Sequence, residues 1–311
     1  MKKALVKAIC DLMSKENNIY FFTADIGFGV LDPIAEKYNN RLINTGICEQ
    51  NMISAATGMA LCDNIVFVYS IGNFPTLRCM EQIRNDVAYH NANVKIVAVG
   101  GGFAYGQLGM SHHATEDIAM IRAIPNMTIL APADSAETVE AVKLASKIDG
   151  PVYIRLGRGG EKAINHKNLN ILEPMELCIE QNHTSSIKIA VIGSGIVMPD
   201  VESAAKTLAE KYTVSAYSLA KIKPVNEEAI KKICNANNYI FTIEEHQITG
   251  ALGSLVAEII AENSICTFFK RIGLKNQFPQ AVGNPTYLRK VYGIDAAGII
   301  TTIEKIVKKQ K

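Results

Sequence analysis

The chain has 311 residues, of which 48% are hydrophobic and 20% charged, and its 32 basic and 30 acidic side chains leave a formal charge of only +2. That is the make-up of a globular protein large enough for two domains, without the basic field of a nucleic-acid binder. Seven cysteines at 10, 48, 62, 79, 178, 234 and 266 form no CxxC pair, so neither a zinc site nor a disulfide framework is expected.

In chain order, "MKKALVKAICDLM" reads as an amphipathic helix. Lys7 and Asp11 break the apolar run that a signal peptide needs, and no stretch is long and apolar enough for a transmembrane helix, so a cytoplasmic location is expected. "IYFFTAD" (19–25), "RLINT" (41–45), "NIVFVYS" (64–70), "VKIVAVG" (94–100), "MTILAPA" (127–133) and "PVYIRL" (151–156) read as strands. Helices are expected between them at 31–38, 49–62, 75–91 and from Ser135, with a Gly-rich loop running to about 111. The strands are continuous apolar runs rather than alternating ones, which suits a parallel sheet covered by helices on both faces.

The polar stretch 159–186 breaks the rhythm and reads as a linker that packs against both halves. A second series follows: strands at 187–195, 213–219, 239–245 and 265–273, helices at 200–211, 226–236 and 250–262, and a last helix from about 295. The expectation is an α/β protein of two domains, 1–158 and 187–311, each a mostly parallel sheet flanked by helices. "VGGGFAYG" and "IGSG" follow strands but lack the dinucleotide-binding register, and no phosphate-binding P-loop occurs. They read first as structural turns.

Glu49 stands out in "TGICEQNMISAATGMA". An acid in the first helical turn is ordinary, since it faces the positive end of the helix dipole. The helix it opens, however, is small and apolar nearly all round, so it is expected to be buried, and a buried carboxylate needs a partner.

The whole stretch "NTGICEQNMISAATGMAL" resembles the pyrimidine-binding domain of the transketolase family of thiamine diphosphate enzymes. "EQIRNDVAYHNANVKIV", "SHHATEDIAMIRAIPNMTILAPADSAET" and "GPVYIRLGRG" extend the likeness, and "TIEEHQITGALGSLVAE" and the later "YGID" are similar to the family's C-terminal domain. The resemblance implies that Glu49 contacts the cofactor's aminopyrimidine and drives the tautomer that activates the thiazolium carbon. It implies cofactor contacts for Asp25, Tyr69 and Phe74, a substrate-facing role for His112 rather than His113, and a hold on the substrate phosphate for Arg158. Each has a plainer reading: a turn acid for Asp25, core packing for Tyr69 and Phe74, surface residues for His112 and Arg158.

Two departures from the family shape the expectation. The Gly-Asp-Gly that opens the family's Mg²⁺ site is missing, so no metal ligand is assigned to this chain. Diphosphate and Mg²⁺ binding are expected on a second polypeptide, in a two-plus-two heterotetramer. The family's sugar-reading acid, four residues before the histidine, is Leu108 here, which implies a non-standard sugar. The expected activity is ketol transfer from a ketose, or ketose phosphate, to an aldehyde. Alternatives are the β subunit of a 2-oxo acid decarboxylase, a deoxyxylulose-phosphate-synthase-like carboligase, and a non-catalytic assembly subunit.

Overall fold

A computed structural model describes residues 1–181 and 185–309. The first half contains α1 (Lys2–Met13), β1 (Ile19–Thr23), α2 (Asp32–Tyr38), β2 (Leu42–Asn44), α3 (Glu49–Ala60), β3 (Ile65–Ile71), α4 (Met80–Gln82), β4 (Val94–Val99), α5 (Asp117–Ala123), β5 (Thr128–Leu130), α6 (Ser135–Lys147) and β6 (Val152–Leu156). The second contains β7 (Met175–Glu176), β8 (Lys188–Gly193), α7 (Met198–Leu208), β9 (Thr213–Ser218), β10 (Lys221–Lys223), α8 (Glu227–Ala236), β11 (Tyr239–Gln247), α9 (Leu252–Glu262), β12 (Phe268–Leu274), α10 (Pro285–Tyr292) and α11 (Ala296–Lys309). No helix among the described residues is long and apolar enough to cross a membrane.

Two sheets carry these elements. Seven strands run in the order β10-β5-β6-β4-β3-β1-β2, parallel except for β10, and five in the order β12-β11-β8-β9-β7, parallel except for β7. Helices cover both faces, as the unbroken apolar strands require: β4 and β6 are buried at every position. One face of the first sheet carries Phe22, Val68 and Ile96 against α3, and the other carries Phe21, Tyr69 and Val97 against α1 and α6.

The halves interlock more than the sequence suggests. β10 follows β9 of the second sheet yet adds antiparallel to β5 of the first, so one sheet borrows its edge strand from the other half. The linker packs on both halves as expected: the Ile164 amide donates to Asp134 (3.1 Å), the Asn165 side chain donates to Glu202 (3.1 Å), and β7 extends the second sheet. Within the junction Asp117 and Arg155 are both buried and paired at 2.8 Å, and Tyr153 donates to the same carboxylate. Arg155 also donates to the Glu245 carbonyl, and Arg289 pairs with both Glu245 and Asp200.

The glycines of "GGGF" are explained by this junction. A Cβ at Gly101 would strike the Arg155 side chain, and one at Gly102 would strike Glu245. The expected helix over 75–91 is partly realised. A 3₁₀ turn at Leu77–Cys79 leads into α4 and then a π-helical stretch, Ile83–Ala88. Pro75 and the Thr76 hydroxyl, which donates to the Gly72 carbonyl (2.8 Å), hold the chain in a loop where a helix would begin.

Glu244 is buried beneath α9, where its Oε1 accepts from the Gly253 amide at 3.1 Å and its Oε2 has no partner. Burial pushes its carboxyl up to about 8. The folded state therefore keeps a proton that the unfolded chain releases near pH ~4.3. Stability from this group is full at low pH and drains away as pH rises toward 8. The melting temperature is expected to fall between about pH 5 and 8, and Glu244→Gln to flatten that slope. Melting curves of the two proteins across pH check it.

Candidate active site

Five of the six residues singled out in the sequence lie beyond the C-terminal ends of the parallel strands, the edge where open α/β sheets hold ligands. Asp25 follows β1, Glu49 lies just beyond β2, Phe74 follows β3, His112 lies in the loop after β4, and Arg158 follows β6.

Glu49 is 2% exposed, at the first position of α3. Its Oε1 accepts from the Ser70 hydroxyl at 3.2 Å and its Oε2 pairs with the Arg78 guanidinium at 2.8 Å. The carboxylate is thus desolvated but partnered, as burial demands. Only one face of α3 is covered, the one that carries Met52, Ile53, Ala56, Thr57 and Ala60. Gln50, Asn51, Ser54, Ala55 and Gly58 are exposed. The helix expected to be buried in a core or an interface is half-covered in the single chain, and its outward face, with Ser54, Ala55 and Gly58, has no covering neighbour among the described residues.

Arg78 has no role in the sequence-based expectation. Its guanidinium lies over the Phe74 ring at 4.7 Å while it pairs with Glu49. A flat cation therefore meets a buried carboxylate and an aromatic face together. These are the two contacts that a protonated aminopyrimidine requires, so the residues present fit the pyrimidine end of thiamine diphosphate. Phe74 in turn meets His112 edge-on, with centroids 5.2 Å apart. Phe74 and Arg78 also line a cleft of about 300 Å³.

The two histidines separate clearly. His112 is half-buried, with its Nδ1 3.0 Å from the Ser111 hydroxyl, and partial burial holds its pKa below the usual imidazole range. His113 is buried, its Nε2–H donates to the Gly106 carbonyl at 3.1 Å, and its ring meets Phe103. Asp25 sits at positive φ (53°), where its backbone amide donates to Asn44 and its carboxylate accepts from the Asn44 amide group at 2.9 Å. Arg158 is exposed and lies over the Tyr105 ring at 5.1 Å. It lines an interdomain cleft of about 610 Å³ with Gly159, Gly160, Lys162 and Arg289.

Tyr69 is not placed with Glu49. Neighbouring strand residues point to opposite faces, and Ser70 takes the face toward α3. Tyr69 lies on the other face, buried against Phe21 with centroids 5.8 Å apart. Another cavity, of about 1010 Å³, is lined by residues of the linker and of the α7 region and by none of the predicted site residues. Among the described residues no cluster of metal-ligating side chains occurs.

Two family profiles match this chain: the transketolase pyrimidine-binding domain over residues 1–160 and the transketolase C-terminal domain over 182–299. The chain belongs to the transketolase family. The putative transketolase C-terminal section of Methanocaldococcus jannaschii is 35% identical over 312 residues, covering 100% of this chain and 97% of that protein. A subunit of the apulose-4-phosphate transketolase of Actinobacillus succinogenes is 34% identical over 269 residues, covering 86% of this chain and 85% of that protein. A solved structure described as a split gene transketolase, inactive beta4 tetramer, superposes with a TM-score of 0.84 at 31% identity, covering 97% of this chain and 96% of that one.

In this transketolase-family chain His113 is built into the fold and His112 is not. His113→Ala is expected to cost about 1–3 kcal/mol of stability, from a lost buried hydrogen bond and ring contact. His112→Ala should stay within roughly 0.5–1 kcal/mol. Denaturant unfolding of the two variants makes the comparison.

Proposed function

We propose that this chain is the C-terminal subunit of a two-chain transketolase that moves a two-carbon ketol unit from a ketose to an aldehyde. The observation that carries the reading is the buried Glu49 carboxylate beside an aromatic face, at the ligand-binding edge of a pyrimidine-binding domain. Thiamine diphosphate, when bound, supplies the carbon that takes up the ketol unit and hands it on. This chain holds the aminopyrimidine end through Glu49 and Phe74, with Asp25 nearby on the same sheet edge. Glu49 shares a proton with a ring nitrogen, and its dry surroundings strengthen that bond. His112, held largely neutral, can accept a hydrogen bond or proton from a sugar hydroxyl. Arg158 offers a guanidinium to the tetrahedral anion at the far end of the substrate.

The diphosphate and its Mg²⁺ belong to a second chain in this reading, in an assembly of two plus two. One relative is named as a C-terminal section and another as one subunit of a transketolase, and both names support a partner. The exposed small-residue face of α3, next to Glu49, suits a close-packed interface. A non-standard phosphorylated sugar is the favoured substrate, because the exposed Leu108 cannot read a hydroxyl and because one relative is named for apulose 4-phosphate.

The test is reconstitution with the partner chain that carries the Gly-Asp-Gly segment. Ketol transfer should fall by about 10²–10⁴-fold or more in Glu49→Gln and Glu49→Ala while the circular dichroism spectrum is unchanged. Near-normal transfer in either variant would refute the assignment.

A further inference from the structure

The loop after β4 carries two aromatic residues, Phe103, which packs on His113, and Tyr105, to which neither the sequence motifs nor the ketol-transfer chemistry gives a role. Its neighbours give it one. The Arg158 guanidinium lies over its ring at 5.1 Å, and the His112 ring meets it at 6.2 Å between centroids. Tyr105 therefore stands between the residue facing the reacting end of the substrate and the cation facing its far end. The contacts continue from His112 through Phe74 to Arg78 and Glu49, so one unbroken row of side chains runs along the sheet edge.

The backbone is shaped to seat this ring. Gly100 has φ +99°, and a Cβ there would run into the Tyr105 ring. Tyr105 packs partly against the core face that holds Tyr69 and Leu156, so its ring is braced from below. Arg158, by contrast, is exposed, with glycines at 157, 159 and 160 around it. A flexible cation on a glycine-rich turn has many rotamers, and the Tyr105 ring is what gives it a fixed position. Leu108, 56% exposed, supplies no polar alternative in the same loop.

We propose that Tyr105 is a positioning residue that fixes the Arg158 guanidinium against its ring face and thereby makes the site select substrates with a tetrahedral anionic tail. This deepens, and rests on, the ketol-transfer reading. The phenol oxygen is not required; the ring is.

The test compares D-glyceraldehyde 3-phosphate with D-glyceraldehyde as acceptors for the reconstituted two-chain enzyme. Tyr105→Leu should lower the preference for the phosphorylated acceptor roughly threefold to thirtyfold, through KM, as the loss of a cation–π contact implies. Tyr105→Phe should restore the preference. Arg158→Ala should lose it, and adding Tyr105→Leu to Arg158→Ala should change it no further. Equal losses with both acceptors, or a Tyr105→Leu effect that persists without Arg158, would overturn the proposal. If the wild-type pair transfers no ketol unit, the functional reading fails and Tyr105 is tested separately by titrating the chain with inorganic phosphate. Binding that weakens in Tyr105→Leu but not in Tyr105→Phe supports the positioning role. Equal binding in all three, or none in wild type, overturns it.

Discussion

A carboxylate taken out of water is the constraint around which this molecule is arranged. Glu49 is placed at a helix start, at the end of a sheet whose central strands are buried, where only directed contacts can stabilise its charge. Ser70 supplies one from β3 and Arg78 supplies another from the loop beyond it. Because Arg78 is also stacked on Phe74, the carboxylate and the aromatic face share a single flat cation. A site that accommodates a planar cation in that way can accommodate a planar protonated heterocycle by the same two interactions.

The rest of the fold keeps this edge in register. The loops after β1, β3, β4 and β6 deliver Asp25, Phe74, His112 and Arg158 from adjacent or near-adjacent strands, so sheet geometry sets their spacing. Behind them, the Asp117–Arg155 pair and the Glu245–Arg289–Asp200 contacts tie the loop after β4 to the second half of the chain. The consecutive glycines at 100–102 belong to this design. They let the backbone pass close to Tyr105, Arg155 and Glu245, so a stretch resembling a nucleotide loop is in fact a packing device.

Much of this is legible in the sequence, and the reasons differ by element. The core strands can be read because burial on both faces removes alternation and leaves runs such as "VKIVAV". Glu49 stands out because an acid opening an apolar helix is locally inconsistent, and such inconsistencies collect at functional sites. The short edge strands β7 and β10 are illegible, because β7 is only two residues long and the pairing of β10 is decided by β5 in the other half of the chain. α10 escapes the sequence reading although its signals are present: Asn284 caps it, Pro285 opens it, and Gly293 closes it in the left-handed region. Tyr69 is packed in the core on the face of β3 away from Glu49, in keeping with its plainer reading, and strand alternation applied to "YS" puts Ser70 beside Glu49 instead. Arg78 and Tyr105 leave no mark in the sequence, since their roles come from stacking partners that only the folded loops bring together.

The central claim is that the Glu49 side chain meets the pyrimidine ring of thiamine diphosphate at an interface between two chains. A structure of the reconstituted pair with the cofactor bound tests it most directly. The account predicts a Glu49 carboxylate oxygen within about 2.6–3.2 Å of a pyrimidine ring nitrogen, with Phe74 against the ring. A ring seated elsewhere, with Glu49 still held by Ser70 and Arg78 alone, would contradict it.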